Sequence, residues 1–136
     1  DLTIYKNLEI EIENKTLAQC VKECKTAIAA SGTVTLELAL LGIPVVVIYK
    51  TGFINAFIAR HILKLGFVSL PNLTLNREVY PELLQERCNA QEIEKYLEHF
   101  ENYKEKVARD IAEVREKLSG NNIIKSYGEF LIKGEE

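Results

Sequence analysis

Short apolar segments alternate with amphipathic segments along the chain, and this order predicts parallel strands connected by helices. Residues 26–30 (Thr-Ala-Ile-Ala-Ala) and 45–49 (Val-Val-Val-Ile-Tyr) are almost wholly apolar, which is typical of buried parallel strands. The segment between them ends at Gly42-Ile43-Pro44, a sequence that interrupts a helix. Strand–helix–strand units of this kind are almost always parallel and right-handed. The pattern therefore predicts an α/β fold, a Rossmann-like parallel sheet flanked by helices.

Weaker patterns extend this prediction on both sides of the central unit. Residues 8–13 alternate apolar and acidic side chains, as in a half-exposed edge strand, and helices are expected over about 17–24 and 53–64. Residues 67–70 are interpreted as a third central strand that ends at Pro71-Asn72, with a loop over 73–79 at the same edge of the sheet. Pro81 is interpreted as the first turn of a short helix over 81–85.

The C-terminal third carries one long amphipathic pattern. Asn89 is expected to cap a helix that begins at Ala90, with Glu92 in the capping-box position. Apolar residues then recur every three or four positions and predict two helices, or one long bent helix, that end at Gly120: Ile93, Leu97, Phe100, Tyr103, Val107, Ile111, Val114 and Leu118. A last helix is expected after Asn121. The chain thus divides into a sheet-containing part, 1–89, and a helical part, 90–136.

The Ser31-Gly32-Thr33 turn, where the first strand meets its helix, is the first candidate for a binding site. Ligands of open parallel sheets bind at this end of the strands, and a helix start offers unpaired N–H groups and partial positive charge. Gly32 leaves room for close approach, the hydroxyls of Ser31 and Thr33 add donors, and the turn therefore suits a phosphate or diphosphate. Glu37, one helical turn further on, is placed to accept hydrogen bonds from two ribose hydroxyls. The alternative is an ordinary helix cap at Ser31 and a solvated Glu37.

Two further polar side chains are expected near the same edge of the sheet. Arg77 is a strong phosphate donor, and the amide of Asn72 can both donate and accept a hydrogen bond. The alternatives are a turn asparagine and a surface ion pair between Arg77 and Glu78.

Composition narrows the choice of function. The chain has 136 residues, 47% of them hydrophobic and 27% charged, and a net charge of −3, so it suits one globular domain and has no general attraction for nucleic acid. Three cysteines cannot form a complete set of disulfides and are interpreted as free thiols in a reducing cytoplasm. The apolar and basic helix over 53–64 is a candidate contact with an amphiphilic substrate or membrane surface. The chain begins with Asp1, which we interpret as the start of a fragment or processed product.

Four separated stretches resemble one family, lipid-A-disaccharide synthase, a two-Rossmann-domain (GT-B) glycosyltransferase of family 19. The similarity is close over about 16–100 and follows the order of that family's C-terminal half. The Ser-Leu-Pro-Asn and Pro-Glu-Leu-Leu-Gln sequences are specific to it, whereas the Ser-Gly-Thr turn is shared by many GT-B enzymes. The stretches are Ala30-Ser31-Gly32-Thr33-Val34-Thr35-Leu36-Glu37, Gly42-Ile43-Pro44-Val45-Val46-Val47-Ile48-Tyr49, Val68-Ser69-Leu70-Pro71-Asn72-Leu73, and Arg77-Glu78-Val79-Tyr80-Pro81-Glu82-Leu83-Leu84-Gln85-Glu86.

The resemblance implies a reaction and a set of residues. The family transfers 2,3-diacylglucosamine from UDP-2,3-diacylglucosamine to 2,3-diacylglucosamine 1-phosphate (lipid X) and releases UDP, in the lipid A biosynthesis of Gram-negative bacteria. It needs no cofactor and no metal held by a DxD motif. Carried over, Glu37 would hold the ribose, and Asn72 would act catalytically or bind the donor's diphosphate or sugar. Arg77 and Glu78 match the family's motif, and the diphosphate would lie against Ser31, Gly32, Thr33 and Thr35.

The resemblance also implies what this chain lacks. The family's N-terminal domain, which supplies the acceptor site and the general base, has no counterpart here, so the chain is expected to be inactive alone. The helices after Asn89 are expected either to pack on this domain or to be exchanged within a homodimer. Two other interpretations remain: a different GT-B enzyme that uses a UDP-sugar, and a non-catalytic α/β dimerisation module.

Overall fold

Three short parallel strands form the sheet in a computed structural model of the chain, which describes residues 15–50 and 66–119. The strands are β1 (Ala27–Ala30), β2 (Val45–Tyr49) and β3 (Glu82–Leu84), in the order β1–β2–β3. Ala27 is paired with Val45, and Val47 with Glu82. All three strands therefore present their carboxyl ends at one edge of the sheet, and the predicted α/β fold with a parallel sheet is confirmed.

Five helices accompany these strands in the described part of the chain. They are α1 (Leu17–Cys20), α2 (Thr33–Leu41), α3 (Leu70–Leu75), α4 (Ala90–Glu98) and α5 (Phe100–Ser119). A 3₁₀ turn over Val21–Glu23 continues α1, and another over Gln85–Arg87 follows β3. The strand predicted over 8–13 and the helices predicted over 53–64 and after Asn121 lie outside the described residues.

The central unit β1–α2–β2 is confirmed as predicted. α2 ends at Gly42, whose φ of 80° is left-handed and whose N–H donates to the carbonyls of Leu38 and Ala39. A residue with a side chain is strained at this φ, so glycine is the natural residue there. The Arg115 guanidinium adds a hydrogen bond to the Leu40 carbonyl, with Nη2 and O 2.6 Å apart.

Two elements differ from the prediction. Residues 67–70 are not a strand: Ser69 is the N-cap of α3, and Pro71 lies in its first turn. Residues 81–85 are not a helix, because Glu82–Leu84 pairs with β2 and the Pro81 carbonyl accepts a hydrogen bond from Val47 N at 2.9 Å. The proline that begins a helix is therefore Pro71, whereas Pro81 leads the chain into the sheet.

The hydrophobic core lies where α2, α3 and α5 pack together against the sheet. The predicted amphipathic pattern forms two helices that meet at His99. α5 contributes four buried apolar side chains, whereas α4 has no buried residue. The core includes Ala29, Leu38, Ala39, Val45, Val47, Tyr80, Val107, Ile111, Val114 and Leu118.

Candidate functional site

The turn after β1 has an open backbone conformation that only glycine adopts readily. Gly32 is the N-cap of α2 with φ 152° and ψ −168°, a region that is essentially restricted to glycine. Thr35 fixes this geometry, since its N–H and its hydroxyl both donate to the Gly32 carbonyl, at 3.2 and 2.7 Å. Ser31 N donates to Ile48 O at 3.1 Å, which ties the turn to the carboxyl end of β2.

The turn contains backbone hydrogen-bond donors that no described residue uses. The N–H groups of Gly32, Thr33 and Val34 come before the first hydrogen bond of α2, which Thr35 N makes, and they have no partner among the described residues. Among the described residues, no heavy atom lies within 4 Å of a Cβ atom built on Gly32, so the protein leaves room beside Gly32 itself. Backbone N–H groups at the start of a nine-residue helix favour an anion.

Thr33 and Glu37 are both exposed and lie one turn apart on α2. Neither side chain has a hydrogen bond or ion pair with the described residues. The Ser31 hydroxyl, in contrast, donates to the Val68 carbonyl at 2.8 Å. Thr35 is fully buried, so its hydroxyl contributes to the turn and does not face solvent.

Asn72 is fully buried and uses every hydrogen-bonding position of its amide. Its Oδ1 accepts from the N–H groups of Val79 and Tyr80, at 2.9 and 2.8 Å. Its Nδ2 donates to the Tyr80 carbonyl and to Glu82 Oε1, both at 2.8 Å. In this structure Asn72 therefore positions the segment before β3, and it has no free atom for a ligand.

Glu82 was not recognised from the sequence, although it is one of the most strongly connected side chains of the structure. Its carboxylate accepts hydrogen bonds from the N–H groups of Val68 and Ser69 and from the Ser69 hydroxyl, at 2.9, 2.9 and 2.7 Å. The sequence feature that could have indicated this role is an acidic residue at the start of the short apolar segment Glu82-Leu83-Leu84. The segment was interpreted as a helix over 81–85, so its glutamate was not placed in a strand.

Arg77 and Glu78 do not join the Ser31 turn. They lie in the connection that leads to the amino end of β3, whereas Ser31 follows the carboxyl end of β1. The expectation that 73–79 lies at the edge of the Ser31 turn depended on a strand over 67–70, and it is wrong because that strand is absent.

Arg77 contacts α5, not Glu78. Its guanidinium donates to both oxygens of Glu113, at 2.6 and 3.3 Å, and to Asp110 Oδ1 at 2.8 Å. The hydrogen bonds to Glu113 and then to Asp110 raise the pKa of Arg77 above its usual range. The Lys106 ammonium donates to Asp110 Oδ2 at 2.8 Å and to the Glu78 carbonyl at 2.7 Å. Burial raises the pKa of the Asp110 carboxyl, but the hydrogen bonds from Arg77 and Lys106 outweigh burial and hold it below its usual value.

A cavity of about 250 Å³ lies near the amino edge of the sheet, between Thr26 and Pro44 on one side and α4 and α5 on the other. Its walls include three aromatic side chains, Tyr96, Phe100 and Tyr103. Of the site residues predicted from the sequence, it includes Glu78 and none of the others.

Over residues 15–50 and 66–119, no three His, Cys, Asp or Glu side chains are grouped so that they could hold a metal ion. Within the same ranges, no helix combines the length and the apolar character needed to cross a bilayer.

The family model of lipid-A-disaccharide synthetase matches residues 3–131. Lipid-A-disaccharide synthase 1 of Legionella pneumophila is 34% identical over 119 residues, which are 85% of this chain and 31% of that protein. The Synechocystis enzyme of the same name is 42% identical over 118 residues, 82% of this chain and 30% of its own length. A Nitrobacter winogradskyi lipid-A-disaccharide synthase is 52% identical over 64 residues, 47% of this chain and 16% of the relative. The chain thus spans about a third of the length of the first two relatives.

Proposed function

This chain belongs to the lipid-A-disaccharide synthetase family, and we propose that it forms the UDP-donor-binding part of a glycosyltransferase that makes the lipid A disaccharide. The proposed reaction transfers 2,3-diacylglucosamine from its UDP derivative to lipid X, 2,3-diacylglucosamine 1-phosphate, with release of UDP. The proposed enzyme works in the cytoplasm of a Gram-negative bacterium. The remaining length of the relatives leaves room for the acceptor site and the general base, so we expect this chain to be inactive alone.

The observation that carries the proposal is the open turn at Gly32. Three N–H groups without a partner among residues 15–50 and 66–119 lie at the start of a nine-residue helix, at the carboxyl edge of a parallel sheet. Ligands of such sheets bind at this edge. Donors that are fixed before the ligand arrives can stabilise the negative charge of a departing UDP without reorganisation.

Each residue of the turn has a distinct proposed role. The N–H groups of Gly32, Thr33 and Val34 and the Thr33 hydroxyl bind the diphosphate, and the exposed Glu37 carboxylate accepts hydrogen bonds from the ribose hydroxyls. Ser31 and Thr35 hold the turn, because the hydrogen of each hydroxyl is donated within the protein. Asn72 acts through the segment that it positions, and Arg77 attaches α5 to the connection before β3.

A calorimetric titration with UDP tests this proposal, with separate titrations of CMP and ADP as controls. We expect selective binding of UDP. Glu37→Ala should weaken it by about 10- to 100-fold, the loss expected for a hydrogen bond with a charged partner. Glu116→Ala is the matched control, since Glu116 is also an exposed glutamate on a helix but lies on α5.

The outcomes separate the proposed function from its alternatives. A folded protein that binds no UDP would contradict the proposal and favour a non-catalytic module. Equal affinity for the three nucleotides would indicate general anion binding at a helix start. Disaccharide formation by this chain alone, from UDP-2,3-diacylglucosamine and lipid X, would contradict the proposed need for a second domain.

A further inference from the structure

The carboxylate of Glu82 connects the first residue of β3 to the segment before α3. Oε1 accepts from Ser69 N, Ser69 Oγ and Asn72 Nδ2, at 2.9, 2.7 and 2.8 Å. Oε2 accepts one hydrogen bond, from Val68 N at 2.9 Å. The two oxygens thus hold different partners, and Val68 depends on Oε2 alone for this contact.

Val68 in turn holds the proposed donor site. Its N–H is bound to Glu82, while its carbonyl accepts the hydrogen bond from the Ser31 hydroxyl at 2.8 Å. A continuous path therefore leads from Glu82 through the backbone of Val68 to the side chain of Ser31. β1 and β3 are not paired with each other, because β2 lies between them in the sheet. The path through Val68 therefore connects β3 to the turn after β1 without using the hydrogen bonds between strands.

We propose that Glu82 is a positioning residue for the nucleotide: by holding Val68 in place, it fixes Ser31 and keeps the N–H groups of the Gly32 turn aimed at the diphosphate. This inference rests on the proposed function. Gly32 has many accessible conformations when it is not restrained. Restraint before binding reduces the entropy that the ligand would otherwise have to remove.

Glu82→Gln is the substitution that tests this path most directly. The amide oxygen can keep the three donors now on Oε1, whereas the new NH₂ group would face the N–H of Val68, so that two donors meet. The substitution therefore releases Val68 while it keeps the contacts of Ser69 and Asn72. Glu116→Gln on α5 is the matched control.

The experiment is a double-mutant cycle with Ser31→Ala, measured as the UDP dissociation constant of the purified protein that carries this chain. We expect Glu82→Gln to raise the constant about 3- to 10-fold, the range for one net hydrogen bond. In the Ser31→Ala background the same substitution should change it less than about twofold, because the path to the turn is already broken. A general loss of stability would not depend on Ser31 in this way.

Three results would overturn the inference. An equal fold-change in both backgrounds would show that Glu82 does not act through Ser31, and an unchanged affinity in the folded Glu82→Gln protein would show that it does not act on the site at all. If the unsubstituted protein binds no UDP, the proposed function fails and this inference fails with it. Should Glu82→Gln not fold, Glu82→Asp replaces it in the cycle: it keeps the charge but withdraws the carboxylate from Val68, Ser69 and Asn72 alike. Its effect on the UDP dissociation constant should still be smaller in the Ser31→Ala background than in the unsubstituted one.

Discussion

At the scale of single residues, Asn72, a predicted site residue, has a structural role in the fold. Its four hydrogen bonds fix the backbone of Val79 and Tyr80 and meet the Glu82 carboxylate. A buried polar group that loses its partners costs more than an exposed one, because no water replaces them. If an Asn72 variant lost activity, its stability would therefore have to be measured before the loss could be assigned to catalysis.

We expect Asn72→Asp to reduce the free energy of unfolding by about 3 kcal/mol or more, because it replaces two donors with a carboxylate that faces Glu82. Urea denaturation measures this change. Asn76→Asp is the control: Asn76 is exposed, with a left-handed φ of 51° that Asp tolerates, and it should change stability by less than about 0.5 kcal/mol. Equal losses in the two variants would contradict the structural role of Asn72.

Asp110 gives a second prediction at this scale, in the pH dependence of stability. Arg77 and Lys106 face its carboxyl and hold its pKa low in the folded protein, while Glu113 shares Arg77. A lowered folded-state pKa adds stability that is complete above the unfolded-state value of about 3.9. This stability is lost as the pH falls through the lower folded-state pKa.

Asp110→Asn should therefore reduce the free energy of unfolding by about 1–2 kcal/mol at pH 7. This is between the values for exposed and for buried ion pairs, because the Asp110 carboxylate is buried whereas Arg77 and Lys106 are partly exposed. The difference from the unsubstituted protein should shrink below about pH 4. Thermal unfolding followed from pH 2.5 to 7 provides the comparison, with the exposed Glu105→Gln on the same helix as control. A difference that stays constant over this range would show that the carboxylate charge is not what stabilises the contact.

At the scale of elements, local signals were sufficient for β1, α2 and β2 but not for α3 and β3. Apolar runs and a left-handed glycine are properties of a short segment, so they can be read without the rest of the protein. β3 has three residues and exists because β2 lies beside it, and its glutamate is explained only by the amides of Val68 and Ser69 that reach it through the fold. Pro71 and Pro81 give the same local signal, and only tertiary structure distinguishes them.

The end of α2 supplies a prediction about an element. Gly42 and Gly66 have similar positive φ values, 80° and 75°, but a Cβ on Gly42 would lie 3.2 Å from Arg115 Nη2, whereas one on Gly66 would have no described heavy atom within 4 Å. Because of backbone strain, Gly42→Ala and Gly66→Ala should each lower the free energy of unfolding by about 1 kcal/mol. At Gly42 the loss should be about 0.5 kcal/mol greater, because Arg115 would be displaced from the Leu40 carbonyl.

Chemical denaturation of both variants, alone and with Arg115→Ala, separates the two contributions. The additional loss of stability in Gly42→Ala should disappear in the Arg115→Ala background. The loss of about 1 kcal/mol that both glycine variants share should persist. An excess that survives the loss of Arg115 would assign it to the helix end itself.

At the scale of the whole molecule, the order of the strands decided which site residues could be predicted. The Ser31 turn follows a strand that the sequence identifies, so its place at the carboxyl edge could be expected. The positions of Arg77 and Glu78 depended on the direction of the neighbouring elements, and one wrong strand moved them to the wrong edge. Arg77 finds its partners 33 and 36 residues later, on α5, at a separation that no local pattern indicates.

The packing of α5 leads to the last prediction, about whether the C-terminal helices belong to their own chain. Val107, Ile111, Val114 and Leu118 are buried in the core of the same chain that contains α2. Val114 is completely buried, so Val114→Ala should cost about 2–3 kcal/mol. The exposed Glu116→Ala on the same helix should change stability by less than about 0.5 kcal/mol.

Protein concentration distinguishes packing within the chain from exchange between two copies. If α5 packs on its own chain, the melting temperatures of the unsubstituted protein and of Val114→Ala should stay constant over a hundredfold range of concentration. If the helices are exchanged, association contributes to stability by mass action, and each tenfold increase in concentration adds about 1.4 kcal/mol. A melting temperature that rises with concentration would therefore favour the exchanged arrangement, in which the helices of a partner copy would complete the core of each chain.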